Sequence, residues 1–172
     1  CSSDLIQIMK ALNNESINLH KAPFCFSVSE NKLYTGSNDG SAKVYDITNK
    51  STLHSASTED IIRCIQYYGK KLVYGLGNEL RMLDNVDDSN FKPNNGILLT
   101  NFSTSVRKVE NYKNCVIAYS EDDEIHIVNL TTLDVERVKS HHEGSLKNMK
   151  VCGDQLVTTG CDGFVNVFKI DG

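Results

Sequence analysis

The stretch YTGSNDGSAKVYD, residues 34–46, decides how the chain is read. It joins a short apolar run to a tight-turn signal, Asn38-Asp39-Gly40, and then to a second run that ends on Tyr45-Asp46. Asp-Gly between two alternating runs is a strong short-range hairpin signal, because Gly takes the left-handed conformation the turn demands. The pattern recurs. VTTGCDGFVNVFK, residues 157–169, matches position by position, with Asp162 on Asp39, Gly163 on Gly40 and Phe168 on Tyr45. Two weaker copies lie between, one ending on Leu83-Asp84 and one on Val128-Asn129. Successive endings at Asp46, Asp84, Asn129 and Lys169 are 38, 45 and 40 residues apart.

Outward from these copies the apolar pattern stays short and close to period two. Phe24, Phe26 and Val28 alternate, and Leu72 to Tyr74, Val116 to Tyr119, Ile125 to Val128 and Val165 to Phe168 behave alike. Such runs, β-branched or aromatic and bounded by Gly, Asn, Asp or Ser, read as strands. No twelve-residue window carries a helical period, so the fold class is all-β. A period near 40 with four strands in each repeat is the signature of a propeller blade. The expected blades are 17–47, 52–84, 96–130 and 135–170, each starting with the strand that precedes the alternating pair. Residues 1–12, with Leu5 to Met9, read as the remnant of an earlier blade.

Composition bounds the rest. The chain has 172 residues, 40% of them hydrophobic, and a formal net charge of −4. That suits one packed domain. It disfavours a basic surface for nucleic acid or anionic membrane. No apolar run reaches the length of a bilayer span. Six cysteines, at 1, 25, 64, 115, 152 and 161, form no CxxC pair and no zinc spacing. Cys25, Cys64, Cys115 and Cys152 fall in apolar runs and read as reduced, buried side chains. This points to an intracellular compartment, cytoplasmic or nuclear. The four Asn-x-Ser/Thr sites, at Asn14, Asn49, Asn101 and Asn129, are what a chain rich in Asn, Ser and Thr carries by chance.

With these motifs in view, the chain resembles the WD40-repeat family. The resemblance implies a buried hydrogen-bonded network in each blade, built from a His, a turn Asp, a strand Ser/Thr and a Trp. His20, Thr35, Asp39 and Tyr45 fill those places in the first copy. His142, Thr158, Asp162 and Phe168 fill them in the fourth, where Phe168 has no polar hydrogen to give. The middle copies carry Gly77 and Asp122 at the turn and lack the His. The constellation looks like a catalytic triad, but it occurs twice, and Thr35 lies within a strand rather than on an exposed elbow. His141, His142 and Glu143 are adjacent, and adjacent residues do not converge on one ion. The sequence therefore calls for no catalytic residue, metal or cofactor. The acidic runs Asp84 to Asp88 and Glu121 to Glu124 read as solvated turns, and 85–95 is the longest insertion.

The segment from Asn94 to Leu130, together with Cys161-Asp162-Gly163, Val165 and Val167, is similar to a blade of the N-terminal propeller of the chromosome transmission fidelity replisome adaptor family. That family couples the replicative helicase to the primase-bearing polymerase. The implied function is a non-enzymatic scaffold in a multi-protein complex, binding proteins or peptides. The implied partner loops hold Lys21, Asn38, Glu59, Asp60, Asp122, Asp123 and Glu143. A propeller enzyme with a channel-facing site and a nucleic-acid-binding assembly are the competing classes. Against the enzyme, strand starts at Phe24, Ile61, Val106 and Leu146 bring no convergent His, Asp or Glu set. Rings of this family usually need about seven repeats, roughly 280 to 320 residues. A chain that opens on Cys1 is thus expected to be part of a longer one, to share a ring with another chain, or to close as a four-bladed ring.

Overall fold

The computed structural model describes residues 17–86 and 91–170. Fifteen strands form four antiparallel sheets, and no α-helix occurs among the described residues. Sheet 1 holds β1 (Pro23–Ser29), β2 (Lys32–Ser37), β3 (Ser41–Asp46) and β4 (Ser51–Ser57). Sheet 2 holds β5 (Ile62–Tyr68), β6 (Lys71–Leu76), β7 (Glu79–Leu83) and β8 (Ile97–Asn101). Sheet 3 holds β9 (Lys108–Tyr112), β10 (Cys115–Tyr119), β11 (Glu124–Asn129) and β12 (Val135–Lys139). Sheet 4 holds β13 (Leu146–Cys152), β14 (Gln155–Gly160) and β15 (Val165–Lys169). Every strand pairs with its neighbour in sequence.

This grouping corrects the expected repeat boundaries by one strand. The segments read as openers of the second, third and fourth repeats, around Thr52, Gly96 and Val135, hydrogen-bond to the sheet before them. The physical reason lies in the residues that end each copy. The Asp46 carboxylate accepts from the Asn49 backbone N–H at 2.8 Å and from its side-chain amide at 2.9 Å. The Asn129 side-chain oxygen accepts from the backbone N–H of Thr131 at 2.8 Å and of Thr132 at 3.1 Å. These side chains fold the chain straight back into a hairpin, as Asx turns do. The Asp or Asn that ends each of these third strands opens the turn into the fourth. Ile17 to Leu19 forms no strand, and the proposed remnant at 1–12 lies outside the described residues.

The sheets stack face to face, and their first strands β1, β5, β9 and β13 touch in that order. Alternation puts one row of each strand on each side, so both faces of an inner sheet are apolar. Tyr34, Val44, Ile65, Leu72 and Tyr74 fill the layer between sheets 1 and 2. Val73, Met82, Val109, Val116 and Val128 fill the next. Ile117, Ile125, Met149 and Leu156 fill the third.

Two glycines set the spacing of the stack. A Cβ on Gly36 would sit 2.7 Å from Ile62 Cβ and 2.9 Å from Cys25 Sγ. One on Gly75 would sit 2.6 Å from Val106 Cβ and 2.9 Å from Cys64 Sγ. The same step is thus used twice. Each thiol also faces the carbonyl of the residue it packs on, Cys25 Sγ at 3.4 Å from Ile62 and Cys64 Sγ at 4.0 Å from Val106. Burial pushes the Cys25 thiol up to about 12 and the Cys64 thiol higher still. Cys25 and Cys115 are half-buried and Cys64 is buried, whereas Cys152 is exposed, contrary to its reading as a core residue. It follows Val151 at the outer end of β13, past the apolar layer.

The long insertion is not a solvated loop throughout. Val86, Phe91 and Pro93 are buried between sheets 1 and 2, and the Tyr74 hydroxyl donates to the Pro93 carbonyl at 2.5 Å. Asp87 and Asp88, read as part of an acidic turn, lie outside the described residues, while Asp84 pairs with Lys71 at 3.0 Å.

Candidate functional site

The duplicated constellation is assembled where the sequence placed it. His20 sits just ahead of β1, its Nε2 2.7 Å from Thr35 Oγ1 on β2 and its Nδ1 2.7 Å from Ser41 Oγ on β3. Ser41 in turn donates to Asp39 Oδ1 at 2.5 Å, and Asp39 stands 3.9 Å from the ring. With the single Ser41 proton on the Asp39 carboxylate, Nδ1–H donates to Ser41, while the Thr35 hydroxyl has both Nε2 and the Lys43 carbonyl within reach. Ser41 is a link that the sequence reading missed. Its signal was a hydroxyl residue directly after the Asp-Gly turn.

The fourth copy is more direct. His142 Nδ1 donates to Asp162 at 3.0 Å, and its Nε2 accepts from Thr158 at 2.9 Å. Asp162 also accepts the backbone N–H groups of Glu143 at 2.9 Å and Phe164 at 3.0 Å. Burial alone would raise the Asp162 carboxyl, but these donors outweigh it and hold it below the usual carboxylate range. The Ser41 hydroxyl is the main cause that brings Asp39 down to about 2. The aromatic residues stand apart from both networks. Tyr45 is buried opposite Leu33, and Phe168 lies opposite Leu156 with its ring 6.2 Å from His141. Thr35 instead lies 3.2 Å from the Lys43 carbonyl.

A carboxylate, imidazole and hydroxyl in this order have the tautomer of a nucleophilic triad. Thr35 and Thr158 are 5% and 0% exposed, however, so in the folded chain their hydroxyls meet no substrate carbonyl. What the arrangement does is tie the segment before each first strand to the turn between the second and third. His141 points toward Phe168 while His142 points toward Asp162, so the neighbouring imidazoles diverge.

The middle sheets solve the same problem differently. Asp122 accepts from the Ser103 hydroxyl at 2.6 Å and from the Glu124 N–H at 3.2 Å, and it takes the Ser103 N–H at 3.3 Å as Asp39 and Asp162 take those of Lys21 and Glu143, the residues after the histidines. Asp60 lies against Gly77, where a Cβ would come within 2.8 Å of its carboxyl carbon. A third buried histidine, His126 on β11, was not anticipated. Its Nδ1 is 3.0 Å from Thr100 Oγ1 on sheet 2, and its ring stacks on Phe102 at 3.9 Å. A lone His inside the apolar run Ile125 to Val128 was the available signal.

Burial lowers the His20 and His126 pKa values, with Lys43 adding to the first and Glu124 opposing the second. Both groups therefore bind protons more readily in the unfolded chain. Their contribution to stability is complete above the ordinary value near 6.5 and is lost as pH falls below it. Each adds a slope of at most about 1.4 kcal/mol per pH unit there. Urea midpoints should decline from pH 7.5 to 5.5, and His126→Asn should flatten that decline. A midpoint unchanged over this interval would contradict the assignment.

All seven anticipated loop residues reach one end of the stack, where the first strands begin. Their backbones are held there. Lys21 N–H donates to Asp39 at 3.1 Å, Asn38 N–H to Ala22 at 3.0 Å and Glu59 N–H to Asn94 at 3.0 Å. The Asp60 carboxylate takes the Ile61 N–H at 2.6 Å, and Asp123 takes the Ser140 hydroxyl at 2.5 Å. The side chains of Lys21, Asn38, Glu59 and Glu143 face solvent, whereas Asp122 and Asp123 are half-buried and committed internally. Nearby, the Arg63 guanidinium lies 4.8 Å over the Phe24 ring, and Arg107 pairs with Glu121.

No protein-family model and no curated protein matches the chain. Among solved structures it is similar to the crystal structure of the computationally designed Ika4 protein, with a TM-score of 0.74 at 19% identity over 91% of this chain and 96% of that one. It is also similar to the computationally designed Ika8 protein, with a TM-score of 0.73 at 20% identity over 90% of this chain. There the chain spans 48% of the other's length. At these identities the likeness is one of fold. No helix among the described residues is long and apolar enough to cross a membrane.

Proposed function

We propose that the four sheets are WD40-type propeller blades and that the chain is a non-enzymatic scaffold for protein or peptide partners within a larger assembly. The observation that carries this reading is the repeated His-Thr-Asp network. It consumes the triad-like side chains in holding loops, and it leaves rigidly based loops at one end. Loops on a rigid scaffold are where binding functions concentrate. The exposed side chains there, Glu59 and Glu143 above all, make an acidic rim suited to a basic or polar partner surface. The resemblance of 94–130 to the replisome adaptor family supports the more specific reading, an adaptor in chromosome maintenance inside the nucleus.

The test is affinity purification of the chain against a Glu59→Lys/Glu143→Lys variant, followed by mass spectrometry. Both carboxylates are on exposed residues, so the variant should keep its melting temperature and lose the stoichiometric partner. Helicase and polymerase subunits among the lost proteins would support the adaptor reading. Identical co-eluting proteins from both forms would refute the role of this rim.

A further inference from the structure

Three of the four first strands open on a bulge. The register slips between Pro23 and Cys25 in sheet 1, between Ile62 and Cys64 in sheet 2, and between Leu146 and Asn148 in sheet 4. Phe24, Arg63 and Lys147 are therefore the unopposed residues, and a bulge re-aims the side chain of its extra residue. Sheet 3 reaches the same place by another route. Val106 packs on Gly75 as Ile62 packs on Gly36, and the Arg107 N–H that follows donates to the Tyr119 carbonyl at 2.9 Å. The four sheets thus set Phe24, Arg63, Arg107 and Lys147 in one row, at the end of the stack where the loop residues gather.

Three of these four are cations, although the chain is acidic overall. Tyr119 ties two of them together, because its hydroxyl donates to the Lys147 carbonyl at 2.7 Å while its own carbonyl holds Arg107. Phe24, 49% exposed, gives its ring face to the Arg63 guanidinium at 4.8 Å. Stacking occupies the face of a guanidinium and leaves its in-plane N–H groups free to donate. Within the described residues those donors find no acceptor, and the Arg63 Nε is also shut off from solvent. Lys147 is exposed, and no hydrogen bond or ion pair holds its ammonium among the described residues. Arg107 differs, since Glu121 pairs with it. A half-buried guanidinium without a counter-charge gains more than a solvated one from an anion brought to it.

We propose that this row is an anion site that takes acidic side chains, carboxylate or phosphate, from an extended peptide of a partner protein. The Arg63 fork, steadied on Phe24, takes one anion in a bidentate pair, and Lys147 takes a second as a point charge. Stacked sheets lie about 10 Å apart and an extended chain rises about 3.3 Å per residue, so acids about three residues apart fall on successive sheets. Glu121 already serves Arg107, so the two dominant places, on sheets 2 and 4, call for acids about six residues apart. Because the chain as a whole is acidic, attraction is local to the row and does not extend to polyanions at large. The neighbouring Glu59 and Glu143 favour basic residues in the same peptide, so the sequence sought has mixed charge. This rests on the scaffold reading and names the chemistry of the partner for it.

The probe is a fluorophore-labelled synthetic peptide, GAEGAGGAEGAG, titrated with the 172-residue chain. A second peptide carries phosphoserine in place of both glutamates, and a third, GAGAGEEGAGAG, sets the two glutamates side by side. Saturable binding of the first or second is expected, with a shift of the Arg63 Nε–H resonance, and the tighter of the two identifies the anion. The third should bind more weakly than the first. Arg63→Gln and Lys147→Gln should each weaken binding about tenfold, the worth of one hydrogen bond to a charged group. Phe24→Leu removes no charge and should weaken it as well. Lys70→Gln removes a positive charge from the turn between β5 and β6, at the opposite end of the strands, and should leave it unchanged. Absence of saturable binding by both spaced peptides, or equal losses in Lys70→Gln and Arg63→Gln, overturns the proposal. A single-stranded oligonucleotide that binds more tightly than either peptide through the same residues would assign the row to nucleic acid and likewise overturn it. Arg63→Gln leaves Glu59 and Glu143 in place, so rim-dependent partners that stay bound while no peptide binds the native chain would refute the row alone.

Discussion

Gly36→Ala should destabilise the chain by about 2–3 kcal/mol, the usual range for overfilling a packed core. Nothing in the local backbone forbids an alanine there, and the cost is one of room. The new methyl would meet Ile62 Cβ at 2.7 Å and Cys25 Sγ at 2.9 Å. Both are on strands whose own partners prevent them from yielding. Ile62 is 1% exposed, and Ile62→Ala alone should cost about 3 kcal/mol through the lost contacts and the cavity. Combined, the two changes should cost less than their sum, because the methyl added at 36 occupies part of the space vacated at 62. A coupling of about 1 kcal/mol or more in urea unfolding would establish the shared space. Additivity within about 0.5 kcal/mol would show that the sheets can move apart instead.

His142→Ala should have an effect of similar size, about 3 kcal/mol. It leaves the fully buried Thr158 hydroxyl with no acceptor and takes one of three donors from Asp162. An orphaned buried polar group costs its full desolvation, and a network loses more than a single pair when one member goes. Thr158→Val, which keeps the shape and removes the hydroxyl, should cost about 1 kcal/mol. His20→Ala should fall between the two, because His20 reaches its carboxylate through the more exposed Ser41. Exchange of the Glu143 amide reads out the loop directly. It should accelerate in His142→Ala well before global unfolding, and a rate equal to wild type would mean that the network does not hold the loop.

The parts of this architecture that were legible in the sequence are those set by local chemistry. Alternating Phe, Val and Ile runs declare strands, and Asp39-Gly40 and Asp162-Gly163 declare turns. The places of His20 and His142 in the two networks were implied by the family resemblance rather than by spacing, and the Tyr45 and Phe168 it also implied stand apart from them. What the sequence misplaced depends on partners chosen in space. A strand such as Ser51–Ser57 pairs equally well with either neighbour on pattern alone, and the Asp46 hairpin decides for the earlier sheet. Ser41 and His126 were passed over because their roles come from what lies across the sheet or on the next one. Phe91 reads as part of a polar insertion, with Asn, Lys and Pro around it, and only the groove beneath Tyr34 makes it a core residue.

The strictly sequential pairing of the strands has a kinetic meaning. No strand waits for a distant segment before it can pair, so each sheet's hairpins can close early and without the entropy of a long loop. Between sheets the chain behaves as a one-dimensional array in which each layer is stabilised mainly by its immediate neighbours. Pulled from its ends, such a chain yields layer by layer, terminal sheets first.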